Sequence, residues 1–242
     1  MYQRRDYRAH MGAGRFTSFS LAVGESDLYV GFRGSVERSV IELSTLRQLR
    51  RLRQELLDYP DPRLMTSLTP LFQHEERSRL IASMLSSAEQ ANVGPMAAVA
   101  GAIAQELGRH LLATHALEEL VIENGGDLFL HLSEPLPVRL LARSSPFSGT
   151  VAIMGDGELG IATSSATMGH SLSFGRADAV MVAALDAAVA DALATSYCNR
   201  VLSAEDAERL CSELVKEEGV VGALIAIGET LAIGGQLEVR RL

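Results

Sequence analysis

The chain has 242 residues, 47% of them hydrophobic, and a formal net charge of -8. That composition excludes a disordered polymer and argues against a general nucleic-acid binder, whose affinity rests on clustered lysine and arginine. Two cysteines, Cys198 and Cys211, belong to no CxxC pattern, so neither a disulfide framework nor a zinc ribbon is expected, and a reducing compartment is the simple inference.

The first ten residues, MYQRRDYRAH, are charged and carry no apolar core of the kind a secretory signal needs. The longest apolar stretches, around 96–104 and 220–227, fall short of the roughly 20 residues that span a bilayer. A cytoplasmic protein with no membrane attachment is the expectation.

Residues 17–23 and 27–32 read as two strands around a Gly24-Glu25-Ser26 turn. A long helix over 36–58 carries Leu46, Leu49, Leu52 and Leu56 on one side and Arg47, Arg50, Arg51 and Arg53 elsewhere, a cluster that a solvated face explains. Tyr59-Pro60-Asp61-Pro62 ends it, because a residue before proline is pushed out of the helical region. Helices follow over 75–91 and 97–114, then strands over 120–122, 128–132, 138–142, 150–154, 160–163 and 179–182. A small, apolar helix is expected over 183–196. Ser203 and Asp206 have capping-box spacing for a last helix, and strands over 220–227 and 236–240 finish the chain. Grouped rather than alternating elements favour α+β over a doubly wound fold. With no obvious repeat or linker, one compact domain over 1–242 is the expectation, with two intimately packed lobes as its internal variant.

Three places could carry chemistry. Asp191, Thr195 and Asn199 stand four apart and form one oxygen-bearing stripe on the alanine-rich helix. A buried carboxylate without compensation costs several kcal/mol, roughly, so something cationic is expected opposite Asp191: a hard divalent cation shared with Thr195, or an arginine such as Arg176 or Arg200. Asp186 has a sufficient reason of its own in the positive end of the helix dipole. The second place is the turn Glu123-Asn124-Gly125-Gly126-Asp127. Asn-Gly is a preferred hairpin turn, yet two adjacent glycines also let a ligand approach the backbone. The third is the run from Thr163 to Ser173, which gathers the hydroxyls of Thr163, Ser164, Ser165 and Ser173 with Gly169 and His170. Those hydroxyls suit phosphate or ribityl oxygens, and His170 suits a general base. A hydrolase built on Ser164 or Ser165 with His170 and Asp178 is a further reading, although no Gly-x-Ser-x-Gly elbow is present.

The order of Gly94-Pro95-Met96-Ala97-Ala98-Val99-Ala100-Gly101, the ENGGD turn, the TSSATMGHSLSFGRAD run at 163–178 and Ala190-Asp191-Ala192-Leu193-Ala194-Thr195 resembles the ApbE superfamily of FAD-dependent protein flavin transferases, specifically its shorter branch, from residue 25 onward. The resemblance implies an α+β fold related to the T-fold, with mixed or antiparallel sheets packed with helices and a cleft between two lobes. It further implies bound FAD, a divalent metal such as Mg²⁺ on the pyrophosphate, and movement of FMN to a Thr or Ser of an acceptor protein. By motif, Asp191 and Thr195 would be metal ligands and His170 the base, while Asn124, Gly125, Gly126, Asp127, Thr163, Ser164, Ser165, Gly169 and Ser173 would line the flavin pocket. A binding module for FAD or another nucleotide, without catalysis, is the alternative. Two departures stand out. The transferases have Ala-Lys-Gly where this chain has Val99-Ala100-Gly101, and Ile-Ile-Asp-Pro where Ser171-Leu172-Ser173-Phe174 follows His170.

Overall fold

A computed structural model describes residues 14–72, 78–142, 145–166 and 175–242. Strands β1 (Thr17–Val23) and β2 (Ser26–Gly34) form a hairpin, and α1 (Arg38–Leu57) follows. After a 3₁₀ turn at Pro62–Met65 come α2 (Arg79–Ala91), a second 3₁₀ turn at Pro95–Ala98 and α3 (Val99–Thr114). The next strands are β3 (Leu117–Asn124), β4 (Asp127–Arg139), β5 (Val151–Ser164) and β6 (Ala179–Ala184). Helices α4 (Ala187–Arg200) and α5 (Ala204–Leu214) precede β7 (Val220–Ile227), β8 (Thr230–Gly235) and β9 (Val239–Arg241).

Among the described residues the strands make one sheet in chain order from β1 to β8, with β9 added against β5. Every pair is antiparallel, so the mixed alternative drops out. Both helical excursions leave and re-enter between neighbouring strands. The element order is therefore ββααββ twice, β1 to β4 and β5 to β8, with α2 and the 3₁₀ turns inserted in the first copy. No sequence repeat signals this, because the copies share element order rather than side chains: α1 is rich in arginine and α4 in alanine.

Alternation along the strands divides the core. Leu120, Ile122, Phe129, Ala162, Val180, Val182 and Ile225 face the helices, whereas Val121, Leu130, Ile161, Met181 and Leu224 face the opposite side. That side is filled by residues beyond the register break between Leu132 and Leu136, where β4 and β5 continue as a paired extension, and by Leu237 and Val239. With both faces covered, β6 reads as an unbroken apolar run, AVMVAA, every residue buried.

Several boundaries differ from expectation. Ala183 and Ala184 belong to β6, and α4 starts at Ala187 because Asp186 is its N-cap, accepting from the Ala188 N–H at 2.9 Å. The helix expected over 97–114 is a 3₁₀ turn and then α3, and strands 138–142 and 150–154 extend β4 and β5 rather than standing alone. Part of the expected start of α2, residues 75–77, lies outside the described residues; Ser78 caps the helix. Strand β8 was not anticipated, and the expected 236–240 strand is the shorter β9. The capping box at Ser203 and Asp206 is present. Among the described residues no helix is long and apolar enough to cross a membrane.

Candidate functional site at the seam between the two units

Helix α3 begins at Val99 with Ala98 as N-cap, a residue with no side-chain acceptor, so its first-turn N–H groups need partners from elsewhere. Asp191, one turn into α4, supplies one: its Oδ2 accepts from the Gly101 N–H at 3.0 Å. The close approach of the two helices depends on missing side chains. A Cβ on Gly101 would sit 2.1 Å from the Ala187 carbonyl oxygen, and one on Gly160 of β5 would sit 2.2 Å from the Ala187 Cα. Ala187 is thus wedged between α3 and β5. Its N–H donates to Oε1 of Gln105 at 2.8 Å.

Within the protein, then, Asp191 meets a backbone amide, and the arginine expected as one of its two possible partners is not there. Among the described residues no lysine, arginine or histidine pairs with it; Arg200 pairs with Glu213 and stacks on the Tyr197 ring at 4.2 Å, and Arg176 is exposed. The positive end of α3 meets the carboxylate on one side. Burial nevertheless pushes the Asp191 carboxyl up to about 7, the amides of Gly101 and Ala100 offsetting only part of that. Asp191 is half-buried, so part of its surface stays open. Thr195, one turn further along α4, is also half-buried.

The glycine turn reaches the same place. Asn124 is buried and its Nδ2 donates to the Ala100 carbonyl at 3.1 Å, one residue from the amide that Asp191 binds. Asn124 and Asp127 pair across the turn, so the central residues are Gly125 and Gly126, not Asn124 and Gly125. Their φ values of 72° and 115° require glycine, and nothing lies within 4 Å of where their Cβ atoms would be. Glu123 accepts from the Gly126 N–H at 2.7 Å, and Oδ1 of Asp127 accepts from the Thr163 N–H at 3.3 Å. One chain of hydrogen bonds so links Asp191, the start of α3, Asn124 and, across the turn pairing, Asp127 with Thr163.

Ser164 closes β5, pairing with Val180. Beyond Ser165 the run is pinched where the Ala166 N–H donates to the Ala177 carbonyl at 3.1 Å. It returns along the far end of α4: a Cβ on Gly175 would lie 1.8 Å from the Cys198 carbonyl oxygen, and the Arg176 N–H donates to Val201 at 2.8 Å. Gly169, His170 and Ser173 lie outside the described residues. Asp178, the acid of the hydrolase reading, is buried and its carboxylate takes the Gly228 N–H at 2.7 Å, so it is committed to the β7–β8 turn.

Sequence reasoning missed Gln105, Gly160 and Ala187. A signal existed in Gln105, the polar residue in the run VAGAIAQ, four positions from Gly101. Among the described residues no group of three or more His, Cys, Asp or Glu could hold a metal. A cation beside Asp191 would therefore complete its shell from hydroxyl, carbonyl, water and ligand oxygens, as Mg²⁺ does with nucleotides.

The same architecture recurs in solved ApbE structures. The flavin transferase ApbE from Vibrio cholerae superposes with a TM-score of 0.64 at 11% identity, covering 90% of this chain and 96% of that one. The apo flavinyl transferase ApbE of Pseudomonas stutzeri gives 0.63 at 12% identity, covering 90% and 94%, and the ApbE protein of Thermotoga maritima gives 0.58 at 12%, covering 93% and 97%. The fold is the α+β fold of the ApbE-like superfamily.

Within it, the chain belongs to the family described as AbpE bacteria, which it matches over residues 8–230. Its relatives include a UPF0280 protein of Methanothermobacter thermautotrophicus, 40% identical over 194 residues that cover 76% of this chain and 75% of that one. A UPF0280 protein of Methanococcus aeolicus is 36% identical over 191 residues, covering 76% of each.

Proposed function

We propose that the seam binds a flavin nucleotide, FAD, with a divalent cation such as Mg²⁺ beside Asp191 and Thr195, and that the chain acts as an FMN transferase toward a Thr or Ser of an acceptor protein. The observation that carries this reading is the hydrogen-bonded convergence of Asp191, Ala100–Gly101, Asn124, Asp127 and Thr163 in a chain of this family. The donor set suits a hard cation: a carboxylate has about four lone-pair sites, so amide contacts leave acceptor capacity on Asp191, and the Thr195 hydroxyl stands one turn away. A bound cation would neutralise pyrophosphate charge. The open faces of Gly125 and Gly126 would admit the ligand against the backbone, and Thr163, Ser164, Ser165, Gly169 and Ser173 would offer hydroxyl and amide groups to its oxygens.

In the transfer, the acceptor hydroxyl oxygen attacks the FMN phosphorus, the bond to the bridging oxygen breaks, AMP leaves with that electron pair, and His170 takes the hydroxyl proton. Incubation with FAD, Mg²⁺ and an acceptor lysate should give covalently fluorescent bands on a denaturing gel, absent in Asp191→Ala and His170→Ala. The replacement of the superfamily lysine by Ala100 favours a second reading, an FAD or nucleotide-binding module without transfer; tight FAD binding with no labelled band would select it. Absence of flavin binding with or without Mg²⁺ would defeat both.

A further inference from the structure

We infer that Gln105 is the positioning residue of the seam: by accepting the first N–H of α4 it fixes the carboxylate of Asp191 on the amide of Gly101. Gly101 and Gln105 are four apart on α3, and Ala187 and Asp191 are four apart on α4. They meet as two rungs, Gln105 Oε1 with the Ala187 N–H at 2.8 Å and Asp191 Oδ2 with the Gly101 N–H at 3.0 Å. The helices run in opposite directions along this ladder, so one rung sets the other.

No other acceptor in the α4 cap serves Ala187. The N-cap carboxylate of Asp186 is turned to the Ala188 N–H through Oδ1 and to Arg109 through Oδ2, while the Ala187 N–H goes to Gln105. Water has no room either, since Ala187 is pressed against Gly101 and Gly160. A hydrocarbon side chain at 105 would strand a buried N–H at the first turn of α4. The carboxamide brings its own penalty, for Gln105 is 1% exposed and its Nε2 has no partner among the described residues. A buried amide kept with half of its capacity unused is kept for the oxygen. The glycine at 101 and the glutamine at 105 are parts of one device. The first lets α4 approach, and the second sets where along α3 it stops.

The inference about Asp191 geometry stands on these contacts alone; its consequence for metal binding rests on the proposed function. Because the Gly101 N–H lies in the first turn of α3, with no intrahelical acceptor, its hydrogen exchange reports the Asp191 contact specifically. Gln105→Met, close in volume but without the acceptor, should lower protection at Gly101 about tenfold or more while Leu107 and Leu111 in the same helix keep theirs. Where that variant is unfolded, Gln105→Glu answers instead. Burial keeps its carboxyl protonated, so a C=O remains for Ala187, and Gly101 protection should match the native protein. Unchanged Gly101 exchange in folded Gln105→Met, or lost protection in folded Gln105→Glu, overturns the inference. Mn²⁺ binding followed by electron paramagnetic resonance adds the functional arm, with about tenfold weaker binding expected for Gln105→Met. A native protein that takes up no Mn²⁺ ends the metal reading, while Gly101 exchange still decides the role of Gln105.

Discussion

Asp191 and Glu119 are acids placed in dry surroundings, and their partners drive them in opposite directions. Glu119, fully buried on β3, is gripped by Arg15, whose Nε donates at 2.9 Å, and by the Ser133 hydroxyl at 2.7 Å. The Arg15 hydrogen bonds hold its carboxyl down at about 2 against the burial that opposes them. Its stabilisation is present above the unfolded value near 4.5 and disappears as pH falls toward 2, about 3 kcal/mol across that window. Glu119→Gln should flatten the acid limb of a stability profile, and Arg15→Ala, which leaves the carboxylate to Ser133 and to Arg33 at 3.5 Å, should cost about 1.5–3 kcal/mol in urea unfolding. Asp191 has the opposite sign. Raised to about 7, it keeps in the native state a proton that the unfolded chain has lost, so stability declines as pH climbs from about 4 to 7. In chelator, the wild-type unfolding free energy should fall by about 2–4 kcal/mol from pH 5 to pH 8, and Asp191→Asn should show little of that fall. Equal slopes would mean that Asp191 titrates as an ordinary acid.

Among the elements, α3 and α4 decide the site through residues that have no side chain to speak of. An alanine in a helix interior usually stabilises by about 0.5–1 kcal/mol relative to glycine. Gly101→Ala should reverse that sign, because its Cβ would fall 2.1 Å from the Ala187 carbonyl oxygen. We expect a loss of about 2–3 kcal/mol in thermal or urea unfolding together with lost protection of the residue 101 amide. A neutral or stabilising substitution would show that the helices can part without consequence. This contact also marks where the sequence was legible and where it was not. The stripe Asp191 and Thr195 was visible from spacing, and the carboxylate's need for a partner from physics. That the partner is a helix end could not be read, since an uncapped α3 terminus and its meeting with α4 are tertiary facts. For the same reason α4 appeared four residues early: Ala183 and Ala184 have a helix former's composition, and only pairing with Gly222 and Val220 makes them strand. The β3–β4 turn was readable because Gly125 and Gly126 carry their conformation in their identity. Of the β4–β5 extension, the stretches 138–142 and 150–154 were readable as strands, but the continuity of β4 across Pro135 and Pro137 was not, since the second core layer holds it in place.

At the scale of the whole molecule, two ββααββ units form one antiparallel sheet, and the candidate site lies where they join. Unit one gives the start of α3 and the β3–β4 turn; unit two gives Gly160, Thr163 and α4. The superfamily lysine is absent at Ala100, whose carbonyl here holds Asn124, so ligand charge would have to be met by a cation at Asp191 rather than by a side chain at 100. FAD affinity should therefore depend on divalent metal. The most direct measurement is quenching of FAD fluorescence by the wild type and by Asp191→Asn, each with Mg²⁺ and with chelator. Metal binding at Asp191 requires that Mg²⁺ tighten wild-type FAD binding by about tenfold or more and have no effect on a folded Asp191→Asn. Equal FAD binding by both proteins, indifferent to Mg²⁺, would contradict it.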